Sequence, residues 1–399
     1  MTMRREILFI VLLAVVPGTI GAQRITLHEL EQILASPGPG APSDATADLG
    51  DQVGRDVALS MRLAALELGE RLTPRERTQL AAKFKLGPLT RSALELLADR
   101  SALLDPPASE FPALPPPDAE AQRTMVKQAS DFVLKALTHL PDFFALLTTT
   151  QFDDGARIAG GEILDATPGM HRVGSSTRQI TFSDGKEVFD SSRGSLRPAS
   201  EPRDHGLESQ GEFGAEAATV VLDLEQGSIA FHHWESGASG PVAVFRYQVP
   251  RGSSHYEVKD ACHGKLTFHA QPAYHGSLSI DSANGVLVRF TVETEAGPGD
   301  PITHVASAIE YGRVMLGNRP YFCPLRSVAF TVQEADSCRG SNIRVLPRPV
   351  VMLNRIIFSD YHRLGSEVTI MPGDQPPAKP DSQGPPKASA PQPPPVPPS

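Results

Sequence analysis

Cysteine is scarce in this chain: Cys262, Cys323 and Cys338 are the only three in 399 residues. That count excludes a disulfide scaffold of the small secreted kind. A bridge between Cys323 and Cys338, the nearest pair, and three reduced, buried cysteines stay open as alternatives. Closing that loop would contribute on the order of 3 kcal/mol. Aromatics are few, at 6% with a single Trp, which argues against aromatic side chains alone filling a large sheet concavity. Long apolar runs are absent too: the stretch 7–16 is about half of the roughly twenty residues a bilayer span needs. No basic cluster with interleaved aromatics occurs, and the net charge is −9, so a nucleic-acid partner is excluded. No G-x-S-x-G elbow, H-E-x-x-H, P-loop or G-x-G-x-x-G is present. No catalytic residue, metal or cofactor is therefore assigned.

Histidine is the one chemistry-bearing residue in quantity, with twelve. His263, His269 and His275 recur every six residues. In a straight strand such neighbours lie roughly 20 Å apart, too far to share one ion. His232 and His233 are adjacent, and strand neighbours point to opposite faces. Cys323 precedes Pro324 in an apolar strand and reads as a packed thiol.

The start of the chain reads as a secretory signal. Arg4 and Arg5 precede the short apolar run, and Gly21-Ala22 offers a small-residue cleavage site with Gln23 after it. No Cys stands at the cut for a lipid anchor. An uncleaved anchor is the alternative. The expected organisation is a signal peptide at 1–22, a small helical domain at 23–104 and a Pro-rich linker at 105–118. A β domain at 119–371 and a disordered Pro-rich tail at 372–399 follow.

In the helical segment, Thr26 with Glu29 and Thr73-Pro74 with Glu76 have capping-box spacing. Leu27, Leu30 and Leu34 share a face. Val53, Val57, Met61, Ala64, Leu68 and Leu72 form the clearest helical stripe, read first as core packing and second as a partner-binding face. Thr90 is the expected cap of a fourth helix carrying Leu94 and Leu97.

Beyond the linker, Asp118 caps a helix with Phe132, Val133 and Leu137 on its apolar stripe. After Pro141 the period changes from 3.6 to 2. About ten strands follow, joined mostly by short turns such as Asp184-Gly185, Asn284-Gly285 and Gly317-Asn318. Residues 191–216 read as a long loop. Val220, Leu222 and Leu224 alternate as a strand, with Ile229 and Phe231 on the return strand. The fold class is α+β: a curved, half-barrel-like antiparallel sheet with a covering helix.

Three local features carry a resemblance. The helix runs into a strand through His139-Leu140-Pro141-Asp142-Phe143-Phe144. Residues 180–189, with Ser183-Asp184-Gly185-Lys186 at the turn, form one hairpin. Gly276-Ser277-Leu278-Ser279-Ile280-Asp281 with Asn284-Gly285-Val286-Leu287 forms another. Over 119–371 this order resembles the periplasmic lipoprotein-carrier superfamily, the LolA-like and LolB-like half-barrels and related anti-sigma regulators. Residues 311–324 and 358–363 are similar to an uncharacterised group of exported bacterial proteins. The resemblance implies a sheet enclosing an apolar cavity for acyl chains. The departures are the loop 191–216, the N-terminal helices and the missing anchor.

The expected function is an exported, periplasmic or secreted, non-catalytic binding protein for a lipid-like or other apolar ligand. Phe132, Val133, Leu137, Val220, Leu222, Phe231 and Phe245 are the expected cavity lining. The alternative is an envelope protein that uses its helical and Pro-rich segments to contact a protein partner. An enzyme ranks third.

Overall fold

A computed structural model describes residues 23–36, 49–155, 157–159, 162–165, 169–189, 207, 211–262, 265–295, 297, 299–336 and 344–364. The expected signal peptide (1–22), the tail (372–399), His263, Cys338 and most of the loop 191–216 lie outside them.

The chain opens with β1 (Gln23–Ile25), which pairs in parallel with β2 (Leu66–Leu68). Around this pair stand α1 (Leu27–Ala35), α2 (Leu49–Ala64), α3 (Pro74–Lys83) and α4 (Pro88–Arg100). Both expected capping boxes form. The Thr26 hydroxyl accepts the Glu29 amide at 3.2 Å, and the Glu29 carboxylate accepts the Thr26 amide at 2.8 Å. Thr73 and Glu76 repeat the exchange. Each box satisfies amides that a helix start leaves unpaired. Leu27, Leu30, Leu34, Leu63, Leu94 and Leu97 fill the core between these helices.

Two helical expectations need correction. Thr90 does not cap α4. Asp56 of α2 accepts the amides of Leu89 and Thr90, at 3.0 and 2.8 Å, so the cap comes from a neighbouring helix. The stripe from Val53 to Leu72 is not one buried helical face. The helix stops at Ala64, and α2 turns Leu59 and Leu63 inward. Val53 and Met61 are 58% and 69% exposed. Two apolar rows of helical spacing run along α2, and packing selects the other one.

The second half is built from α5 (Ala119–Lys135), α6 (Ala215–Asp223) and a large sheet. Its strands begin with β3 (Phe143–Asp153), β6 (His171–Ser183) and β7 (Lys186–Phe189), between which the short β4 (Arg157–Ala159) and β5 (Glu162–Asp165) pair separately. Then come β8 (Ser228–Ser236) and β9 (Pro241–Val249), with β10 (Val258–Cys262) and β11 (Lys265–Ala270) as a separate hairpin. β12 (Ala273–Asp281), β13 (Leu287–Glu295), β14 (Ile302–Leu316), β15 (Arg319–Asp336) and β16 (Arg344–Arg363) complete the set. The order among the described residues is β7-β6-β3-β16-β15-β14-β13-β12-β9-β8, with every neighbour antiparallel. The sheet is curved and open. At the β6–β7 turn, Asp184 and Gly185 take φ of 52° and 74°, the left-handed values a tight hairpin requires.

Residues 215–223 are α6, not a strand. Ala217, Val220 and Val221 face the core at helical spacing, and Leu222 is 55% exposed. Val220 and Leu224 fit both periods, with Leu222 between them consistent with a strand only, and the start of α6 at Gly214 is marked only by a glycine.

Both faces of the sheet are covered. α5 and α6 pack on the inner face, with Val133, Leu137, Val220, Phe245, Tyr274, Leu278, Phe290 and Ile309 in one core. A second inner core stacks Phe143 on Phe182 and turns Phe213 edge-on to Phe358. The N-terminal helices lie on the outer face, where Leu96 and Ala102 meet Phe152, Ala308, Val328 and Leu353.

Candidate functional site

The inner face is apolar at its flanks and polar in the middle. Ala329 of β15 marks the centre. Its cross-strand neighbours on the same face are Ser307 of β14 and Asn354 of β16. Ser327 and Thr331 stand two residues to either side along β15, again on the same face because side chains alternate. All five are buried, Ser327 completely. Among the described residues, neither the Ser327 hydroxyl nor the Thr331 hydroxyl has a hydrogen-bond partner. Asn354 donates its amide to the Leu207 carbonyl, which leaves its Oδ1 as an acceptor.

α6 lies over this floor. Glu216 in its first turn points inward, and its Oε1 accepts from Ser307 Oγ at 2.6 Å and Tyr256 OH at 3.3 Å. Burial raises the carboxyl to about 7; the hydroxyl bonds oppose the rise, and Glu212 and Glu187 add to it. Glu187 of β7 accepts the amides of Gly211 and Phe213 and so fixes the turn before α6. Burial raises its carboxyl as well. Gly211 and Gly214 take φ of 96° and 121° in that turn.

Two helical turns on, Asp223 also points inward. It accepts from Tyr274 OH at 2.7 Å and the His255 amide at 2.8 Å, and its Oδ1 meets His255 Nδ1 at 2.5 Å. α6 is thus tied to the sheet at both ends by a buried carboxylate.

The expected lining residues fall out as follows. Val133, Leu137, Val220 and Phe245 are buried in one cluster beside this floor. Phe132 and Phe231 are half-buried against it, Phe132 edge-on to Phe322 and Phe231 edge-on to Trp234 and Phe245. Leu222 does not line it, because it sits on the solvent side of α6. Cys323 is a buried free thiol whose pKa burial pushes up to about 12, which removes it as a nucleophile; Cys338, its expected partner, lies outside the described residues.

The histidines give one correction. A register shift between Phe231 and His233 makes His232 the extra residue of a bulge. The two rings therefore meet, Nδ1 to Nδ1, at 2.7 Å instead of pointing apart. His233 continues to Glu235 and Glu235 to Arg71, with Phe111 tilted on the His233 ring at 4.5 Å. His269 in β11 pairs with Glu257, while His275 lies in β12 of the large sheet. Among the described residues no group of three or more His, Cys, Asp or Glu side chains converges as a metal site.

Sequence reasoning missed Glu216, Ser307, Ser327, Thr331 and Asn354. In β15 the polar alternation of Ser327 and Thr331 against Val328 and Phe330 reads as a solvent face. It is not one, because helices cover both sides. No local signal carried that information.

No protein-family model matches the chain, and no curated protein matches it. Among solved structures, a DUF1329 family protein from Desulfovibrio piger is similar at 10% identity and TM-score 0.27, covering 62% of this chain and 94% of that one. A putative outer membrane lipoprotein-sorting protein domain from Vibrio parahaemolyticus is similar at 10% identity and TM-score 0.29, covering 64% and 94%. The Pseudomonas aeruginosa MucA/MucB complex is similar at 10% identity and TM-score 0.17, covering 62% and 100%. Likeness at these TM-scores carries no weight for function, which has to rest on the site itself.

Proposed function

We propose that this chain is an exported, non-catalytic binding protein that takes up an amphipathic, lipid-like ligand between the inner face of its sheet and the helices α5 and α6. The observation that carries the reading is the pair of buried hydroxyls, Ser327 and Thr331, that lack a partner among the described residues, on a polar floor with apolar flanks. Each buried orphan costs about 1–3 kcal/mol, and a ligand's polar end recovers that cost. The apolar flanks, with Val133, Leu137, Val220 and Phe245, suit an acyl chain beside it. Phe132 and Phe231 stand at the edge of that flank. Nothing in this reading uses a cofactor.

The test separates binding from packing. Ser327→Ala removes an unpaired hydroxyl. It is expected to raise the stability of ligand-free protein by about 1 kcal/mol and to weaken dodecan-1-ol binding several-fold. Calorimetry of delipidated wild type and variant reads both. Destabilisation by Ser327→Ala with no dodecan-1-ol binding to either protein overturns the proposal.

A second reading, an envelope interaction protein, is favoured by one observation. Val53, Val57 and Met61 expose an apolar row on α2 at helical spacing. Such rows serve helix-in-groove contacts. Cross-linking from a photoreactive residue at position 61 in cells tests it. A single discrete adduct favours a protein partner, and its absence ends this reading.

A further inference from the structure

The helix α2 has one side that the rest of the chain uses and one that it leaves open. Leu59 and Leu63 turn inward, and Asp56 accepts the amides of Leu89 and Thr90 at the start of α4. The other side carries Val53, Val57 and Met61, which are 58%, 38% and 69% exposed. They stand four residues apart, so at 3.6 residues per turn they form one line along the helix. Gly50 and Gly54 share that side, and nothing lies within 4 Å of where their Cβ atoms would stand. A single exposed apolar residue is ordinary, whereas a contiguous line of them marks a contact surface.

The charges beside the line say what covers it. Asp51 stands in the first turn of α2 and Arg62 in the last. They are eleven positions apart, about three full turns, so both stand on the same flank of the line. Among the described residues neither forms an ion pair or a side-chain hydrogen bond. Arg55 stands further round the helix, away from the line. In an antiparallel pair related by a two-fold axis, each flank meets the same flank of the other helix, run in reverse. Asp51 of each copy then meets Arg62 of the other, twice over, with Val57 beside the axis. A parallel pair leaves both charges unmatched.

Resting on the second reading above, that α2 is a contact surface, we propose that its occupant is α2 of a second copy of this chain, packed antiparallel about a two-fold axis near Val57. Exposed ion pairs are individually weak, so the apolar line supplies the affinity and the charges set direction and register. A helix of sixteen residues on each side makes a small interface. The dimer is therefore concentration-dependent and not obligate.

Analytical ultracentrifugation of the full chain over a wide concentration series tests this. A reversible monomer–dimer equilibrium is expected, and Met61→Asp is expected to abolish it. Asp51→Arg and Arg62→Asp, each alone, set like charges together at both pairs and are expected to weaken the dimer about tenfold. The double variant restores both pairs and should return to within about twofold of wild type. So should an equimolar mixture of the two single variants, an outcome that no parallel pairing gives. All three positions are exposed, so these substitutions leave the fold intact. A monomer at every concentration, or a dimer untouched by Met61→Asp, overturns pairing through α2. A dimer that Met61→Asp abolishes and the charge variants leave unchanged overturns the antiparallel arrangement. The photoreactive residue at position 61 separates the proposal from the reading beneath it. An adduct of two copies of the chain supports the proposal. An adduct with a different protein overturns it and leaves the contact surface standing, and no adduct overturns both.

Discussion

Glu216 shows how one buried residue couples stability to pH. Its carboxyl is raised from 4.5 to about 7, mainly by burial. The folded state therefore holds this proton more tightly than the unfolded chain does. The associated stability is fully present below pH 4.5 and is lost as pH rises towards 7, by a total on the order of 3 kcal/mol. Other carboxyls overlap this window, so the measurement is a difference. The thermal midpoint of wild type relative to Glu216→Gln should fall between pH 4.5 and 7 and be level above about 8. A difference curve that is flat throughout refutes the shifted carboxyl. Gly276 is a second single-residue constraint, of a steric kind. A methyl group there would stand 1.9 Å from the Thr291 carbonyl oxygen and 2.7 Å from the Tyr247 hydroxyl. Backbone cannot retreat from such a contact within a central strand. Gly276→Ala is expected to cost several kcal/mol, in the range of severe core changes; urea denaturation at neutral pH measures it.

At the scale of elements, the sequence reading misses the strands β1 and β2 inside a segment read as all helical, and it takes α6 for a strand, for a physical reason. Val220, Leu222 and Leu224 alternate well enough for a strand, while the nine residues of α6 place Ala217, Val220 and Val221 on one helical face that its C-cap Leu224 extends. Periodicity cannot separate the two at that length. Turns and caps were legible because their chemistry is local. Asp118 takes the amides of Glu120 and Ala121, Thr73 and Glu76 exchange bonds, and Asp184-Gly185 adopts the required left-handed angles. What could not be read is whatever depends on partners distant in the chain: the Asp56 cap on α4, the bulge that joins His232 to His233, and the burial of Ser327 beneath a helix. The entry to α6 yields a test of its own. Gly214 has φ of 121°, and a Cβ there would lie 3.1 Å from Leu137 Cβ. Gly214→Ala is expected to destabilise by about 1–3 kcal/mol through strain at that angle. The cost should appear as faster amide exchange in residues 215–223 before any change in β13 or β14.

Across the whole molecule, the N-terminal helices meet the sheet along a line of charge. Glu95, Asp99 and Asp105 follow one another along α4 and the turn after it. They meet Arg355, then Arg355 and Arg326, then Arg246. Between them the Ala102 carbonyl accepts from Arg289. The segment 110–115 extends the line to β8, where Ser236 donates to the Glu110 carbonyl and Trp234 to that of Pro115. Asp99 is the buried centre, fully enclosed with Arg355 Nε at 2.5 Å. Burial pushes its carboxyl up while the two guanidinium groups pull it down. Removing one partner from such a cluster leaves uncompensated charge in a dry interface, whereas replacing all of it with apolar side chains does not. Asp99→Ala is therefore expected to lose about 3–5 kcal/mol, because Arg326 and Arg355 are left side by side with only the partly exposed Glu310 and Glu95 to offset them. The triple replacement Asp99→Leu, Arg326→Met, Arg355→Met should recover most of that loss, since Leu96, Val328 and Leu353 already supply apolar neighbours. Chemical denaturation of the two variants against wild type decides the matter. Equal loss in both would mean that the charges themselves hold the helices in place. Recovery in the triple variant would mean that apolar packing holds them and the charges set how they are aligned.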